Sequence, residues 1–239
     1  MKTAFVTGSS RGIGRAIALR LAKSGAAVWF HGTKESAELD SAVAEAGENA
    51  RKCVGDLSTV ESVKQLIARL PEKIDILVLN ASAQIYTYIE QFDPAEFDRE
   101  MAVNVRSAFQ LLEAVLPGMK ERQFGRIIAV SSINQTNPAA RLAVYSATKS
   151  ALANVCRITA KEYAPYGITA NVILPGVIVT DRNREALKNR EFADRLKAEI
   201  PAHRFGEPEE CAALAAFLAG DEASYITGAE IPVSGGWQL

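Results

Sequence analysis

The chain has 239 residues, of which 48% are hydrophobic and 23% are charged, and its formal net charge is −1. This is the composition of a globular protein with a substantial core, and the charge gives no indication of a nucleic-acid partner or an anionic membrane surface. No apolar run has the ~18 residues of a membrane span, and the N-terminal stretch meets a glycine too early for a signal peptide. Three cysteines without metal-like spacing are expected to be free thiols in a reducing compartment, which predicts a cytoplasmic protein without a metal site.

Short apolar runs alternate with helical patterns along almost the whole chain. The runs are rich in Val, Ile and Ala with little polar alternation, which is typical of parallel strands covered on both faces. The predicted strands are Thr3–Thr7, Ala27–His31, Arg51–Val54, Ile74–Asn80, Arg126–Val130, Thr169–Leu174 and Glu230–Val233. This alternation predicts a single-domain, doubly wound α/β sheet over residues 1–239, whose ligands bind beyond the carboxyl ends of the strands.

Helix starts are indicated between these runs. Apolar residues recur every four positions from Ile13 to Leu21, which is the spacing of one helix face. Ser58 followed by Glu61 is a predicted capping box, and Asp93 followed by a proline and an acid is a predicted N-cap.

The first predicted strand runs directly into the segment TGSSRGIG, in which Gly8, Gly12 and Gly14 have the spacing G-x-x-x-G-x-G. Glycines at a strand-to-helix turn let the backbone approach a pyrophosphate, which then lies at a helix N-terminus. An ordinary tight turn would also use glycine, but the position at the first strand–helix junction favours dinucleotide binding.

The segment YSATK places Tyr145 and Lys149 one helical turn apart at a predicted helix start. Residues four apart in a helix lie on the same face, so the phenol and the ammonium are expected to meet. Taken alone, the pair is more often a surface contact near a helix end.

Several short motifs follow one another in a fixed order: TGSSRGIG, Asp56, Asn80-Ala81, Asn104, Ser132, Tyr145, Lys149 and Pro175-Gly176. Together they resemble the classical short-chain dehydrogenase/reductases over essentially the whole chain. The resemblance implies a Rossmann-type parallel sheet of about seven strands flanked by helices, a homotetramer, and an NAD(P)-dependent enzyme that acts on CH–OH groups. The cofactor-binding residues that it implies are Gly8, Ser10, Arg11, Gly12, Ile13, Gly14, Thr33, Lys34, Asp56, Leu57, Asn80, Ala81, Ser82, Tyr145, Lys149, Pro175, Gly176, Ile178 and Thr180.

The resemblance also implies a catalytic set of Asn104, Ser132, Tyr145 and Lys149. Ser131 is adjacent, but the interval of thirteen residues to the tyrosine selects Ser132. In the hypothesised carbonyl reduction, Ser132 binds the carbonyl oxygen and Tyr145 donates the proton as general acid. The Lys149 ammonium, helped by the positive charge of the oxidised nicotinamide, is expected to lower the tyrosine pKa from about 10 toward 7. The resemblance implies that Lys149 also bonds the nicotinamide ribose. Asn104 is expected to hold a water of the proton relay.

The end of the second predicted strand favours NADP over NAD. Enzymes that use NAD tend to carry an acid there, which bonds the ribose 2′-hydroxyl, and Gly32 takes its place in this chain. Arg11 and Lys34 would supply positive charge to a 2′-phosphate, and Thr33 would supply a hydroxyl. The alternative is that the two cations are solvated loop residues.

Three further features leave alternatives open. Ser82 stands where the family usually has glycine, which predicts side-chain crowding near the cofactor. Residues 181–204 correspond to the family's substrate lid, and their mixed charges favour a solvated helix face over a site for an acidic substrate. Tyr86 and Tyr88 are expected either to line the pocket mouth or to pack on another subunit.

The sequence thus predicts an NADP-dependent oxidoreductase that transfers hydride between NADP(H) and a carbonyl or secondary-alcohol substrate, with a 3-oxoacyl thioester as one candidate. An acidic carrier protein would need a cationic rim, yet Gln123 and Tyr166 are expected near the pocket entrance where basic residues would help. The alternatives are a non-catalytic NADP(H)-binding sensor, which needs no proton donor, and an NAD-dependent sugar or polyol dehydrogenase. Enoyl reduction and epimerisation go with other tyrosine–lysine or glycine spacings in this superfamily.

Overall fold

The computed structural model describes residues 1–184 and 187–239. Within these residues the strands are β1 (Thr3–Val6), β2 (Ala27–Gly32), β3 (Ala50–Val54), β4 (Ile76–Leu79), β5 (Gly125–Val130), β6 (Ile168–Pro175) and β7 (Glu230–Val233). They form one parallel sheet in the order β3-β2-β1-β4-β5-β6-β7. The predicted single-domain, Rossmann-type fold is confirmed, and each predicted strand is found with its ends displaced by at most two residues.

Helices connect the strands and cover both faces of the sheet. They are α1 (Gly12–Lys23), α2 (Ala37–Ala46), α3 (Val60–Ile67), α4 (Pro94–Met101), α5 (Ser107–Glu121), α6 (Ala143–Tyr163), α7 (Asp181–Leu187), α8 (Arg190–Glu199) and α9 (Pro208–Ala219). A π-helical turn, Ala102–Arg106, joins α4 to α5. In the described part of the chain, no helix combines the length and the apolar character needed to cross a bilayer.

Each face of the sheet has its own hydrophobic cluster. Because successive residues of a strand point to opposite faces, Leu77 packs with α3, α5 and α6, whereas Val78 packs with α1, α2 and α9. Burying such a side chain fully contributes about 1.5 to 3 kcal/mol. Coverage on both faces explains why the strands lack polar alternation, and it leaves the ends of the strands as the place for polar side chains.

The two predicted helix caps have different outcomes. Asp93 is the N-cap of α4, and its carboxylate accepts a backbone N–H of the first turn, as predicted. The capping box at Ser58 was wrong, because Thr59 caps α3 by accepting the Ser62 N–H at 3.2 Å. The Ser58 hydroxyl instead donates to the carboxylate of Asp56 at 2.8 Å, so it is engaged by the turn that precedes the helix.

Candidate active site

A cavity of about 820 Å³ opens at the carboxyl ends of β1 to β6. Strand order reverses between β1 and β4, and crevices at such a reversal are where doubly wound sheets bind their ligands. The volume lies in the range of roughly 300 to 1,000 Å³ that is usual for cofactor and small-molecule sites.

Most residues predicted for the site line this cavity, whereas Asn104 and Lys34 are not among its lining residues. The predicted residues that line it are Gly8, Ser10, Arg11, Gly12, Ile13, Gly14, Thr33, Asp56, Leu57, Asn80, Ala81, Ser82, Ser132, Tyr145, Lys149, Pro175, Gly176, Ile178 and Thr180.

The glycine loop forms a cradle that side chains would fill. Gly8 and Gly12 have φ angles of 62° and 57°, in the left-handed region that favours glycine. A Cβ on Gly14 would lie 2.3 Å from both the Asn80 side-chain nitrogen and the Gly8 carbonyl oxygen. Helix α1 begins at Gly12, and the Arg11 side chain does not cap it. The first N–H groups of α1 can therefore bind an anion such as a dinucleotide's diphosphate.

Side-chain hydrogen bonds join the ends of β1 and β4 in the floor of the cavity. The Thr7 hydroxyl accepts the backbone N–H groups of Asn80 and Ala81 at 2.9 and 3.0 Å. The same hydroxyl donates to the Val78 carbonyl at 3.1 Å. The Asn80 amide donates to the carbonyls of Thr7 and Gly8 at 2.9 and 3.0 Å. Asn80 thus fixes the glycine loop to the end of β4.

His31 is a lining residue that the sequence analysis did not identify. It lies at the end of β2, and only 1% of its surface is exposed. Its Nδ1 accepts the Gly8 N–H at 3.0 Å, so Nε2 carries the proton and donates to the Gly55 carbonyl at 2.9 Å. Burial lowers the pKa of His31, which favours this neutral ring. The only sequence signal was a polar residue in the otherwise apolar run AVWFHG.

The two adjacent serines have different surroundings. The Ser131 hydroxyl lies within hydrogen-bond distance of the Gln135 side-chain oxygen and, at 3.1 Å, of the Lys149 carbonyl. The Ser132 hydroxyl accepts from the backbone and side-chain nitrogens of Asn134 at 3.1 and 3.2 Å, which leaves its own proton to donate. The role of Ser132 as the substrate-binding serine stays a prediction.

Tyr145 and Lys149 lie in the first two turns of α6 and are both buried. The Lys149 ammonium donates to the Val130 carbonyl at 2.9 Å and lies 5.5 Å from the centre of the Tyr145 ring. Burial, with a smaller contribution from the charge of Arg182, lowers the pKa of Lys149 to about 7.

In the protein alone, the expected lowering of the Tyr145 pKa by Lys149 is not found, and the contribution of the nicotinamide stays a prediction. Burial raises the pKa of this phenol, and the charge of Arg182 and a hydrogen bond from Ser132 only partly oppose it. The physical reason is that burial disfavours both charged forms, the phenolate and the ammonium, so the lysine is only partly charged at neutral pH and does not offset the burial of the phenol. Tyr145 is therefore a phenol that retains its proton at neutral pH.

Asn104 lies in the π-helical turn and is buried. Its amide accepts the Ala83 N–H at 2.8 Å and donates to the Ala83 carbonyl and to the Thr148 hydroxyl, both at 2.9 Å. The side chain thus holds the loop after β4 against α6, and its role in holding a water stays a prediction.

The residues expected around the cavity mouth are only partly brought together. Tyr86 lines the cavity, whereas Tyr88 is not a lining residue. Lys34 is also outside the lining. Hydrogen bonds from its own backbone and from Ser36 lower the pKa of Glu38, and the charges of Arg11 and Lys34 make smaller contributions in the same direction. The positive charges of Arg11 and Lys34 therefore both lie near the first turn of α2, which contains Glu38.

The placement of Gln123 and Tyr166 near the pocket entrance was wrong. Both residues precede a strand, β5 and β6 respectively, so they lie at the amino-terminal edge of the sheet, opposite the cavity. The argument against an acidic carrier protein that rested on them does not apply.

The predicted lid, residues 181–204, contains α7 and α8. Arg182, Leu187, Phe192 and Leu196 from this segment line the cavity. Positions 185 and 186, which include one of the acids of the mixed charge pattern, lie outside the described residues.

Comparisons with known proteins identify the family. A family model described as enoyl-(acyl carrier protein) reductase matches residues 8–238. The chain is 39% identical over 240 residues to the 3-oxoacyl-[acyl-carrier-protein] reductase of Escherichia coli strain K12, covering 100% of this chain and 98% of that protein. It is 35% identical over 253 residues to the D-beta-hydroxybutyrate dehydrogenase of Cupriavidus necator, covering 99% and 97%.

A solved structure of a reductase is also similar to this chain. The 3-oxoacyl (acyl-carrier-protein) reductase from Agrobacterium tumefaciens with NADP bound has a TM-score of 0.92 and 37% identity, covering 98% of this chain and 93% of that one. The chain belongs to the short-chain dehydrogenase/reductase family, which confirms the resemblance read from its motifs.

Proposed function

We propose that the protein is an NADP(H)-dependent oxidoreductase that transfers hydride between the cofactor and a carbonyl or secondary-alcohol group of a small molecule. The observation that carries the proposal is that Ser132, Tyr145 and Lys149 line the same cavity as the glycine cradle. Carbonyl rather than alkene reduction is supported by the Ser132 hydroxyl beside the Tyr145 phenol, since two donors suit an oxygen on which charge develops.

The cavity residues fit a nicotinamide dinucleotide. The glycine cradle and the uncapped start of α1 suit the diphosphate, and the residues from Pro175 to Thr180 would hold the nicotinamide end. NADP is favoured because Gly32 takes the place of the ribose-binding acid, while Arg11 and Thr33 line the cavity nearby. When bound, the nicotinamide supplies or accepts the hydride.

The side chains of the site would handle the proton. The raised pKa of Tyr145 keeps the phenol protonated, so it can donate to an oxygen that Ser132 orients. A lysine with a pKa of about 7 takes up and releases protons readily at neutral pH, and Lys149 is therefore suited to restore the phenol's proton after each turnover.

Three finer assignments accompany this proposal. Residues 181–204 act as a substrate lid, the active form is a homotetramer, and the protein is cytoplasmic. The buried free thiols Cys53, Cys156 and Cys211 suit a reducing compartment. The lid assignment is supported by the cavity-lining side chains of α7 and α8.

The decisive experiment follows the oxidation of NADPH by the pure protein with a panel of carbonyls that includes 3-oxoacyl thioesters, ketosugars and quinones. Tyr145→Phe should reduce the rate about 10²- to 10⁴-fold, the usual contribution of a general acid, while NADPH affinity changes little. Tyr225→Phe makes the same chemical change on a fully exposed residue and should leave the rate unchanged. A Tyr145→Phe variant that keeps most of its rate contradicts the acid role, and tight NADPH binding without oxidation by any carbonyl favours a sensor.

A further inference from the structure

Arg182 lies in the first turn of α7 and lines the cavity together with Ser132 and Tyr145. Its guanidinium donates to the Ser82 carbonyl at 2.9 Å, to the Ser82 hydroxyl at 3.2 and 3.3 Å, and to the Gln84 side-chain oxygen at 3.2 Å. All these partners are uncharged, and among the residues that the structure describes no carboxylate is paired with Arg182. Within the described residues, this exposed side chain therefore has hydrogen-bond partners but no ion-pair partner.

The charge of Arg182 acts on the reacting groups. After burial, which raises the Tyr145 pKa, Arg182 is the largest influence on that phenol and lowers its pKa. It is also the charge that adds to burial in lowering the pKa of Lys149. The Arg182 charge can lower the pKa values of Tyr145 and Lys149 only if the guanidinium lies near these two side chains. It therefore also lies near the position where the substrate oxygen would bind.

The acids near this end of the cavity have other partners. Asp181 accepts from Arg184 at 3.0 Å. Glu100 is buried, does not line the cavity, and accepts the Ile85 N–H at 3.1 Å. Among the described residues, the reactive end of the cavity thus presents an exposed cation with no ion-pair partner, beside Asp181, which also lines the cavity and is paired with Arg184.

Ser82 explains how this cation is positioned. It stands where the family usually has glycine, and its hydroxyl and carbonyl both hold the Arg182 guanidinium. Three of the four contacts are 3.2 to 3.3 Å long, longer than the usual 2.9 to 3.0 Å of N–H···O bonds. A carboxylate, which forms shorter and stronger bonds with guanidinium, would displace these long contacts.

We propose that Arg182 binds a carboxylate of the substrate, so that the preferred substrates are short oxo or hydroxy acids rather than neutral carbonyl compounds. This inference rests on the proposed oxidoreductase function and adds a substrate class to it.

The test compares matched substrates. Short 2-oxo and 3-oxo acids and their methyl esters are assayed with NADPH, using the wild type and the variants Arg182→Gln and Arg182→Lys. Arg20→Gln is the control, because Arg20 is an exposed arginine near the end of α1 that lies outside the lid and does not line the cavity. NADPH affinity is measured for each protein by fluorescence titration.

We expect Arg182→Gln to lower kcat/KM for the acids about ten- to a hundred-fold, the size of a charged hydrogen bond, with esters and NADPH affinity little changed. Arg182→Lys should recover part of the loss, and Arg20→Gln should behave as wild type. Equal losses for acids and esters, a loss confined to NADPH affinity, or a wild type that reduces only neutral carbonyls each overturns the inference. A wild type that binds NADPH but reduces no carbonyl refutes the oxidoreductase function itself.

Discussion

His31 offers a sharp test of how the glycine loop is held. Its neutral ring accepts the Gly8 N–H at 3.0 Å and donates to the Gly55 carbonyl at 2.9 Å. His31→Phe would leave both backbone groups without these partners, at about 1 to 3 kcal/mol each, while keeping a ring beside Phe5. His31→Asn would keep an acceptor near Gly8 and lose the bond to Gly55, so its loss of stability should be about half as large.

The same geometry predicts the pH dependence of stability. Protonation turns Nδ1 into a donor that faces the Gly8 N–H, so the two bonds cannot coexist with a charged ring. Burial lowers the folded-state pKa of His31 below the ordinary 6.5. The stability that it contributes is therefore complete above pH 6.5 and is lost as the pH falls below that value.

Urea denaturation from pH 8 to pH 5 measures the stability of each variant and its dependence on pH. Titration with NADPH measures whether the glycine loop still binds the cofactor. We expect both His31 variants to bind NADPH more weakly than the wild type. Below pH 6.5, their stability should fall less steeply with pH than that of the wild type. His203→Asn, which changes an exposed histidine, should retain the wild-type slope. If His31→Phe kept the wild-type NADPH affinity and the full acid decline, the assigned role of His31 would be refuted.

Two further predictions concern charged residues of the cavity. Lys149→Met should abolish turnover yet raise the melting temperature, because burial lowers the Lys149 pKa from 10.5 to about 7 and so destabilises the folded state. This destabilisation is complete below pH 7 and fades toward pH 10.5, so calorimetry should show a larger rise in melting temperature at pH 6 than at pH 9. Lys161→Met, at an exposed site of α6, is the control. Equal rises at the two pH values for Lys149→Met would contradict the reasoning. Arg11→Ala should weaken NADPH binding about ten-fold or more and leave NADH binding nearly unchanged in fluorescence titrations, and equal losses would exclude a contact with the 2′-phosphate.

The sequence predicted those features that depend on local pattern. The apolar runs identified the strands because both faces of the sheet are covered, and motif residues that follow strands were correctly expected at one edge. Gln123 and Tyr166 precede β5 and β6, so the same rule, had it been applied to them, would have placed them at the opposite edge. The cap of α3 was missed because Ser58 and Thr59 are equivalent as residue types, and only the bond from Ser58 to Asp56 distinguishes them.

Features that depend on burial or on long-range contacts could not be predicted from the sequence. The spacing of Tyr145 and Lys149 gave their proximity, but the direction of the phenol's pKa shift depends on how far each group is removed from water. His31 was missed for the same reason, since a single histidine in an apolar run gives no indication that it joins two backbone loops. Arg182 and Ser82 are 100 residues apart, and only the folded chain shows that they are bonded.

Mutations in the hydrogen-bonded floor built by Thr7 and Asn80 are expected to reduce the stability of the protein more than mutations elsewhere in the cavity lining. The floor depends on backbone groups of β1 and β4, so a change there disturbs the sheet itself. Part of the remaining lining comes from side chains of α7 and α8, which make few contacts with the strands. We therefore expect mutations in α7 and α8 to change substrate preference with little disturbance of the sheet that carries the glycine loop.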